Sequence, residues 1–157
     1  MKKYHAKRIN IVSLKMVRED SILYANRKIS SPNEAVDLLR NLLEDCDREK
    51  LIVCCLNSKN EPTDISTVSV GSLNSSIVHP REVFKIAIMS NSASIIVAHN
   101  HPSGNVEPSK EDINITKRIK ESGKILGIEM IDHIIIGSNN NYISLKEEGL
   151  VWRIIVI

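Results

Sequence analysis

The sequence has few aromatic residues, which make up 3% of its 157 positions. A core must therefore be built from isoleucine, valine and leucine, and a surface that stacks the bases of single-stranded nucleic acid is not favoured. No apolar run approaches the roughly 20 residues that a membrane-spanning helix needs, so we expect no membrane association. The formal net charge is only +2, which is too small to indicate nucleic-acid binding by itself.

Cysteine is also scarce, with three residues in the chain. An odd number argues against a disulfide framework. Cys54 and Cys55 are neighbours in an apolar stretch, and adjacent side chains of a strand face opposite ways. We interpret them as reduced core residues of a cytoplasmic protein. The start of the chain lacks the pattern of a signal peptide, in agreement with that location.

The length predicts one domain with one sizeable core, and the hydrophobic and charged fractions, 42% and 25%, are ordinary for a globular protein. Residues 1–18 carry six Lys or Arg and no acidic residue. They predict a basic arm or an edge strand, with contact to an acidic partner as the alternative. Residues 19–150 should form the domain, and residues 151–157 an apolar tail that docks on it or pairs at a sheet edge.

Hydrophobic spacing predicts strands mixed with three helices. Ser31-Pro32-x-Glu34 marks a helix start, and this helix should run to about Cys46. Two further helices are expected at 80–90 and 109–122, with Gly123 ending the last one. Strands are expected at 51–56, 62–70, 95–98, 130–136 and 142–145, with a further one plausible at 9–16. This order predicts an α/β or α+β domain of three layers.

The most informative stretch is a short apolar strand followed by two histidines. Ile95–Ala98 is a continuous apolar run, typical of a strand covered on both faces. His99 and His101 follow it at positions i and i+2, so both imidazoles should project to the same side. Proline and glycine then predict a loop. Ser109 is the expected N-cap of the next helix, with Asp112 in its first turn.

Two imidazoles from a strand end and a carboxylate from a helix start could therefore meet across a short loop. With a fourth position left for water, His99, His101 and Asp112 would form a catalytic zinc site. The same ligands also fit a non-haem iron site. Taken by themselves, Ser109 and Asp112 are better explained by a capping box. We expect the metal site, because the loop joining the three residues is so constrained.

The spacing His99-x-His101-x7-Ser109-x2-Asp112 matches the JAMM signature of MPN metallopeptidase-like domains. This stretch resembles the RadC branch of that superfamily in its wider sequence, which is His-Asn-His-Pro-Ser-Gly followed by Glu-Pro-Ser and Asp. The similarity extends from about Arg8 to Gly149, and other agreeing stretches are Val70–Asn74, His79–Val83 and Asp132–Gly137. RadC proteins usually carry an N-terminal helix-hairpin-helix segment, for which we expect no room in this chain. A DNA-binding role attached to that segment is therefore not expected.

The resemblance implies a mixed, curved sheet flanked by helices, in a three-layer fold similar to that of cytidine deaminases. It implies a zinc-dependent hydrolase of peptide or isopeptide bonds, with Zn2+ held by His99, His101 and Asp112. In such domains Ser109 would hydrogen-bond the oxyanion formed from the substrate carbonyl. The acid–base glutamate precedes an early strand, and Glu49 matches that place.

Several alternatives stay open at this level. Glu82 is the second candidate for the acid–base residue, although a glutamate in the first turn of a helix is also explained by the helix dipole. His133 should be a satisfied core residue or orient a ligand rather than be a fourth ligand, and Asp132 could orient an imidazole. The alternatives to peptide hydrolysis are a RadC-type role in DNA repair, with weak nucleic-acid binding, and a non-catalytic interaction domain. No pattern indicates a particular substrate or an oligomeric state.

Overall fold

The computed structural model describes residues 5–73 and 78–152. Five strands and three α-helices lie in these ranges, in the order α1 (Pro32–Leu39), β1 (Lys50–Leu56), β2 (Pro62–Val70), α2 (Pro80–Met89), β3 (Ser94–Asn100), α3 (Lys110–Leu126), β4 (Glu129–Ile136) and β5 (Tyr142–Ser144). The strands form one sheet in the order β2-β1-β3-β4-β5. β3 and β4 are parallel, and the other neighbouring pairs are antiparallel. The predicted mixed α+β sheet is therefore confirmed.

The sheet is buried on both faces, as the apolar run of β1 predicts. Alternate residues of β1 enter two separate core clusters. Val53 and its neighbours at i±2 pack with α2 and α3, whereas Cys54 and its neighbours at i±2 pack with α1. Isoleucine, leucine and valine dominate both clusters, and Phe84 is the largest fully buried side chain. The result is three layers, with α2 and α3 on one face of the sheet and α1 on the other.

Helix α1 starts where the sequence predicts, with Ser31 as its N-cap. The predicted end near Cys46 is wrong, because the α-helix stops at Leu39 and tightens into a 3-10 turn. In that turn the N–H of Leu43 bonds to the carbonyl of Arg40, three residues back. Such tightening is frequent at helix ends. Leucine spacing could not reveal it, since Leu43 is buried all the same.

Helix α3 does not end at Gly123 as predicted but continues to Leu126. Gly127 has the left-handed conformation, with a φ of 70°, and forms the C-cap. Gly123 lies inside the helix, where an added Cβ would collide with the carbonyl oxygen of Ile128 and press on the ring of Phe84. This glycine allows close packing, while the second glycine supplies the helix stop. A local pattern cannot tell which of two nearby glycines has which task.

The segment before α1 adds no strand to the sheet. Residues 5–23 have no regular secondary structure, and all of their side chains are exposed. The strand suggested for residues 9–16 is therefore wrong.

Most of the predicted apolar tail, residues 153–157, lies outside the described residues, but Trp152 packs against the core. In the part of the chain that the structure describes, no helix combines the length and apolar character needed to cross a bilayer.

We expect thiol labelling to separate the three free cysteines. Cys54 and Cys55 are fully buried, and burial raises the pKa of Cys54 to about 12 and also raises that of Cys55. At neutral pH both thiols are protonated and shielded, whereas Cys46 is partly exposed. A colorimetric disulfide reagent should therefore modify Cys46 alone in the native protein and every cysteine in urea. Native Cys46→Ser protein should stay unlabelled, and rapid labelling of that variant would contradict the buried placement.

Candidate metal centre

Strand β3 brings two histidines to one end of the sheet. His99 is the penultimate residue of the strand and is fully buried. His101 follows the strand and is partly exposed, but its backbone N–H still bonds to the carbonyl of Ile136 at the end of β4. The two imidazoles point to the same side, as their i, i+2 spacing predicts, and their Nε2 atoms are 3.1 Å apart.

Helix α3 supplies the carboxylate through its N-terminal capping box. Ser109 Oγ accepts the N–H of Asp112 at 3.1 Å, and Asp112 Oδ2 accepts both the N–H and the hydroxyl of Ser109 at 2.7 Å. In this position Asp112 Oδ1 is 3.3 Å from His99 Nε2, and Oδ2 is 3.5 Å from His101 Nε2. The capping box and the metal site are therefore not alternatives, because the cap holds the carboxylate against the histidines.

The donor atoms have the spacing of a metal site. His99, His101 and Asp112 each offer one ligand atom, all within 4.8 Å of one another, and they are the one such group found among the described residues. Zinc bonds to histidine and carboxylate are about 2.0–2.2 Å long, so donor atoms of a tetrahedral site lie about 3.3–3.6 Å apart. The separations of 3.1 Å between the two Nε2 atoms and 3.3 Å between His99 Nε2 and Asp112 Oδ1 are close to those edges, and the second carboxylate oxygen, Oδ2, is 3.5 Å from His101 Nε2. These residues could therefore hold a metal ion.

The site concentrates negative charge on Asp112. Burial alone would raise the pKa of this carboxyl, but the close imidazoles of His101 and His99 outweigh burial and hold the pKa well below its usual range. The same contact with Asp112 raises the pKa of His101, and the charge of Glu49 adds to that effect. The pocket thus stabilises positive charge between the imidazoles and the carboxylates. A bound dication would use the same field.

His133 lies directly behind His99 on strand β4. It is fully buried, and burial lowers the pKa of its imidazole well below the ordinary value. Its Nε2 is 2.8 Å from His99 Nδ1, and its Nδ1 is 2.6 Å from Thr116 Oγ1. Both ring nitrogens are therefore engaged. The prediction that His133 is a satisfied core residue is confirmed.

Asp132 does not orient an imidazole side chain, so that suggestion is wrong. Its carboxylate accepts the hydroxyl of Ser144 at 2.6 Å and the backbone N–H groups of His133 and Lys146. As the neighbour of His133 in a strand, it points to the other face of the sheet. It joins β4 to β5 and the turn after it.

Glu49 lies opposite His101 across the sheet end. Leu51 pairs with His99 in the antiparallel β1–β3 ladder, and continuing that register by two residues brings Glu49 opposite His101. The carbonyl of Glu49 accepts the N–H of Gly71 at 2.7 Å, and its Oε2 accepts the N–H of Leu73 at 3.0 Å. The glutamate side chain is therefore held near the metal-donor cluster.

Glu82 has a different environment. It lies in the first turn of α2, where its side chain is 43% exposed and pairs with Lys85 at 2.7 Å and Arg81 at 3.8 Å. Hydrogen bonding to Lys85 lowers its pKa. The helix-start interpretation accounts for the contacts of Glu82, whereas the β1–β3 register places Glu49 next to the histidines.

Asn100 and Thr116 were missed by sequence reasoning. Asn100 is 2% exposed. Its side-chain oxygen Oδ1 accepts the backbone N–H of Lys50 at 2.8 Å. Its side-chain nitrogen Nδ2 donates to the backbone carbonyls of Arg48 at 3.1 Å and Cys46 at 3.5 Å. It therefore ties the segment that carries Glu49 to the end of β3. The available signal was a polar residue between two predicted ligands, on the opposite face of a buried strand.

Two histidines at a strand end and an aspartate at the next helix start, on a mixed α+β sheet, define a domain of the JAB type. A family model described as RadC-like JAB domain matches residues 29–150. A UPF0758 protein of Clostridium acetobutylicum is 59% identical over 124 residues, which cover 79% of this chain and 54% of that protein. One from Methanosarcina mazei is 53% identical over 125 residues, covering 80% and 54%. The chain belongs to the RadC-like JAB domain family and spans about half the length of the curated relatives it matches.

We expect the protein to bind one equivalent of metal, and His101→Ala to abolish stoichiometric binding while leaving the chain folded. The variant removes one of the three candidate ligands, His99, His101 and Asp112, but it removes little of the core, since His101 is partly exposed. Elemental analysis after dialysis against zinc, together with circular dichroism, measures both effects. His5→Ala is the matched control, because His5 is exposed and remote in sequence. Full metal retention in His101→Ala would rule out this ligand set.

Proposed function

We propose that this domain is a zinc-dependent hydrolase of peptide or isopeptide bonds. The observation that carries the proposal is the donor triangle of His99, His101 and Asp112, with Glu49 held at the adjoining strand end. Zinc bound there would lower the pKa of water from 15.7 to about 7 and polarise a substrate carbonyl. Membership of the JAB-domain family, which includes metalloproteases, supports the same reaction.

Glu49 is the proposed acid–base residue. Hydrolysis of an amide needs a group that takes a proton from the attacking water and returns it to the leaving amine. Glu49 is partly buried, and its charge acts on the imidazole of His101. Its hydrogen bond from the N–H of Leu73 fixes the carboxylate. A fixed carboxylate beside the metal donors is suited to hold that proton between the two steps.

Ser109 is proposed to have two tasks. As the N-cap of α3 it stabilises the helix start, a contribution of about 1 kcal/mol. Ser109 is an exposed residue, and its hydroxyl donates to Asp112 Oδ2. A short rotation would let it donate to the substrate oxygen on which charge develops, and such a donor contributes roughly 3 kcal/mol in the transition state. Both tasks need the hydroxyl in the same place.

The substrate is proposed to be a peptide or protein, and the compartment the cytoplasm. All three cysteines are free thiols, two of them fully buried, which suits a reducing environment. Two other functions stay as competing proposals. A non-catalytic interaction domain would keep the fold without turnover, and an iron site would keep the ligands with different chemistry.

We expect Glu49→Gln to retain metal and lose hydrolysis, because glutamine preserves the shape of the side chain but cannot accept the proton. The loss should be about 100-fold or more, the usual size of general acid–base catalysis. Glu82→Gln is the matched control, and it should lose much less. Cleavage of a peptide library by the zinc-loaded protein, with and without chelator, gives the wild-type rate from which both variants are measured.

The outcomes separate the candidates. If Glu82→Gln is inactive and Glu49→Gln is not, the acid–base assignment is wrong. If iron rather than zinc copurifies at one equivalent, the result contradicts a zinc-dependent hydrolase and supports the iron site. Wild-type protein that binds zinc but cleaves no member of the library would favour the interaction domain.

Any nucleic-acid binding is proposed to be weak and to come from the basic arm of residues 1–18. Its described part is exposed and forms no groove-reading helix or strand. Contacts to phosphates alone release counterions, so affinity for duplex DNA should fall steeply between low salt and about 0.2 M salt. Deleting residues 1–18 should abolish what binding there is and leave hydrolysis intact. Tight binding that survives both changes would instead support a DNA-repair role.

A further inference from the structure

A chain of buried hydrogen bonds joins two of the candidate metal ligands through residues that are not ligands. Thr116 Oγ1 is 2.5 Å from the carbonyl oxygen of Asp112, one helical turn earlier, and 2.6 Å from His133 Nδ1. His133 Nε2 is in turn 2.8 Å from His99 Nδ1. Thr116 is fully buried, as are both imidazoles. The chain therefore runs from α3 through β4 to β3 without access to water.

The direction of these bonds follows from the number of hydrogens available. A carbonyl oxygen can only accept, so the single hydroxyl hydrogen of Thr116 must be donated to Asp112. Thr116 Oγ1 can then only accept from the imidazole behind it, so His133 carries its proton on Nδ1. A neutral imidazole has one N–H, and His133 Nε2 must therefore accept. The donor to it is His99 Nδ1–H.

The consequence lies at the opposite nitrogen of His99. With its proton on Nδ1, the neutral imidazole presents a bare lone pair on Nε2, the atom 3.3 Å from Asp112 Oδ1. Only an unprotonated nitrogen can bind a metal. In its neutral form His101 also carries its one proton on Nδ1, because Nδ1 donates to the carbonyl of Asn105 at 2.7 Å. Both candidate ligands thus point an electron pair at the same place.

We infer that Thr116 and His133 are positioning residues that fix the Nδ1–H tautomer of His99 and thereby prepare its Nε2 for metal. The inference rests on the metal site of the proposed function, but not on hydrolysis. In the opposite arrangement, His99 would carry its proton on Nε2, facing Asp112 and blocking coordination. The hydroxyl of Thr116, which hydrogen-bonds to the backbone carbonyl of Asp112 and not to its carboxylate, decides between the two.

The test compares Thr116→Val with Thr116→Ser. Valine keeps the branched shape but removes the acceptor for His133 Nδ1–H, so His133 should move its proton to Nε2 and force the proton of His99 to Nε2 as well. Loss of such an outer partner typically weakens metal binding by about 10–100-fold, and we expect a loss in that range. Serine keeps the hydroxyl and should bind zinc close to wild type. Zinc affinity is measured by competition with a chromophoric chelator.

A second readout needs no metal and no activity. Nitrogen-15 chemical shifts of the imidazoles, recorded on the metal-free full chain at mildly alkaline pH, report which ring nitrogen carries the proton. We expect Nδ1–H for His99 in wild type and in Thr116→Ser, and Nε2–H in Thr116→Val. Thermal unfolding of the variants shows whether the fold is kept.

Three results would overturn the inference. The first is a Thr116→Val protein with wild-type zinc affinity and tautomer. The second is an equal loss of affinity in the valine and serine variants, which would indicate packing alone. The third is Nε2–H on His99 in metal-free wild type, which decides the matter even if Thr116→Val does not fold. If wild type binds no zinc, the proposed function fails, while the tautomer measurement still tests the hydrogen-bond chain.

Discussion

The parallel pairing of β3 with β4 is the constraint on which the candidate site depends. Parallel neighbours require a crossover, which α3 provides. The chain leaves the end of β3 and reaches the start of α3 through the loop of residues 101–109, and Asp112 then lies beside His99. The same pairing places Val97 opposite His133, so that His133 lies on the α3 face next to His99. The candidate ligands and the residues that support them thus come from β3, α3 and β4, which follow one another in the chain, and from the loop between β3 and α3.

Much of this site could be predicted because its information is local. The i, i+2 spacing of His99 and His101 and the cap at Ser109 need only strand and helix geometry. Thr116 and Asn100 escaped because their partners are distant in sequence, and a threonine inside a helix or an asparagine in a strand has no local signature. The choice of Glu49 over Glu82 likewise depends on the β1–β3 register. Helix ends were misjudged for the same reason, since packing rather than pattern distinguishes Gly123 from Gly127.

The capping box shows how stability and chemistry use the same atoms. A cap needs a side-chain acceptor at the first residue and a carboxylate three positions on. Here that carboxylate also faces two imidazoles, so the helix start cannot shift without moving Asp112. Because Ser109 donates two hydrogen bonds to Asp112 Oδ2, the charge is partly satisfied before any cation arrives. A site built in this way is preorganised by the same bonds that begin the helix.

The polar groups around the candidate site have hydrogen-bond partners within the protein itself. A buried carboxylate without partners would be strongly destabilising, but Asp112 Oδ2 accepts two hydrogen bonds from Ser109. His133, which is fully buried, stays neutral and has an acceptor and a donor at its two nitrogens. Thr116 and His133, which lie behind the donor triangle, are thus paired with each other and with Asp112 and His99. In the tautomers inferred above, the free electron pairs of His99 and His101 point to the centre of the triangle. Metal affinity can then arise from the donor atoms themselves, while the sheet and its two core clusters supply the stability.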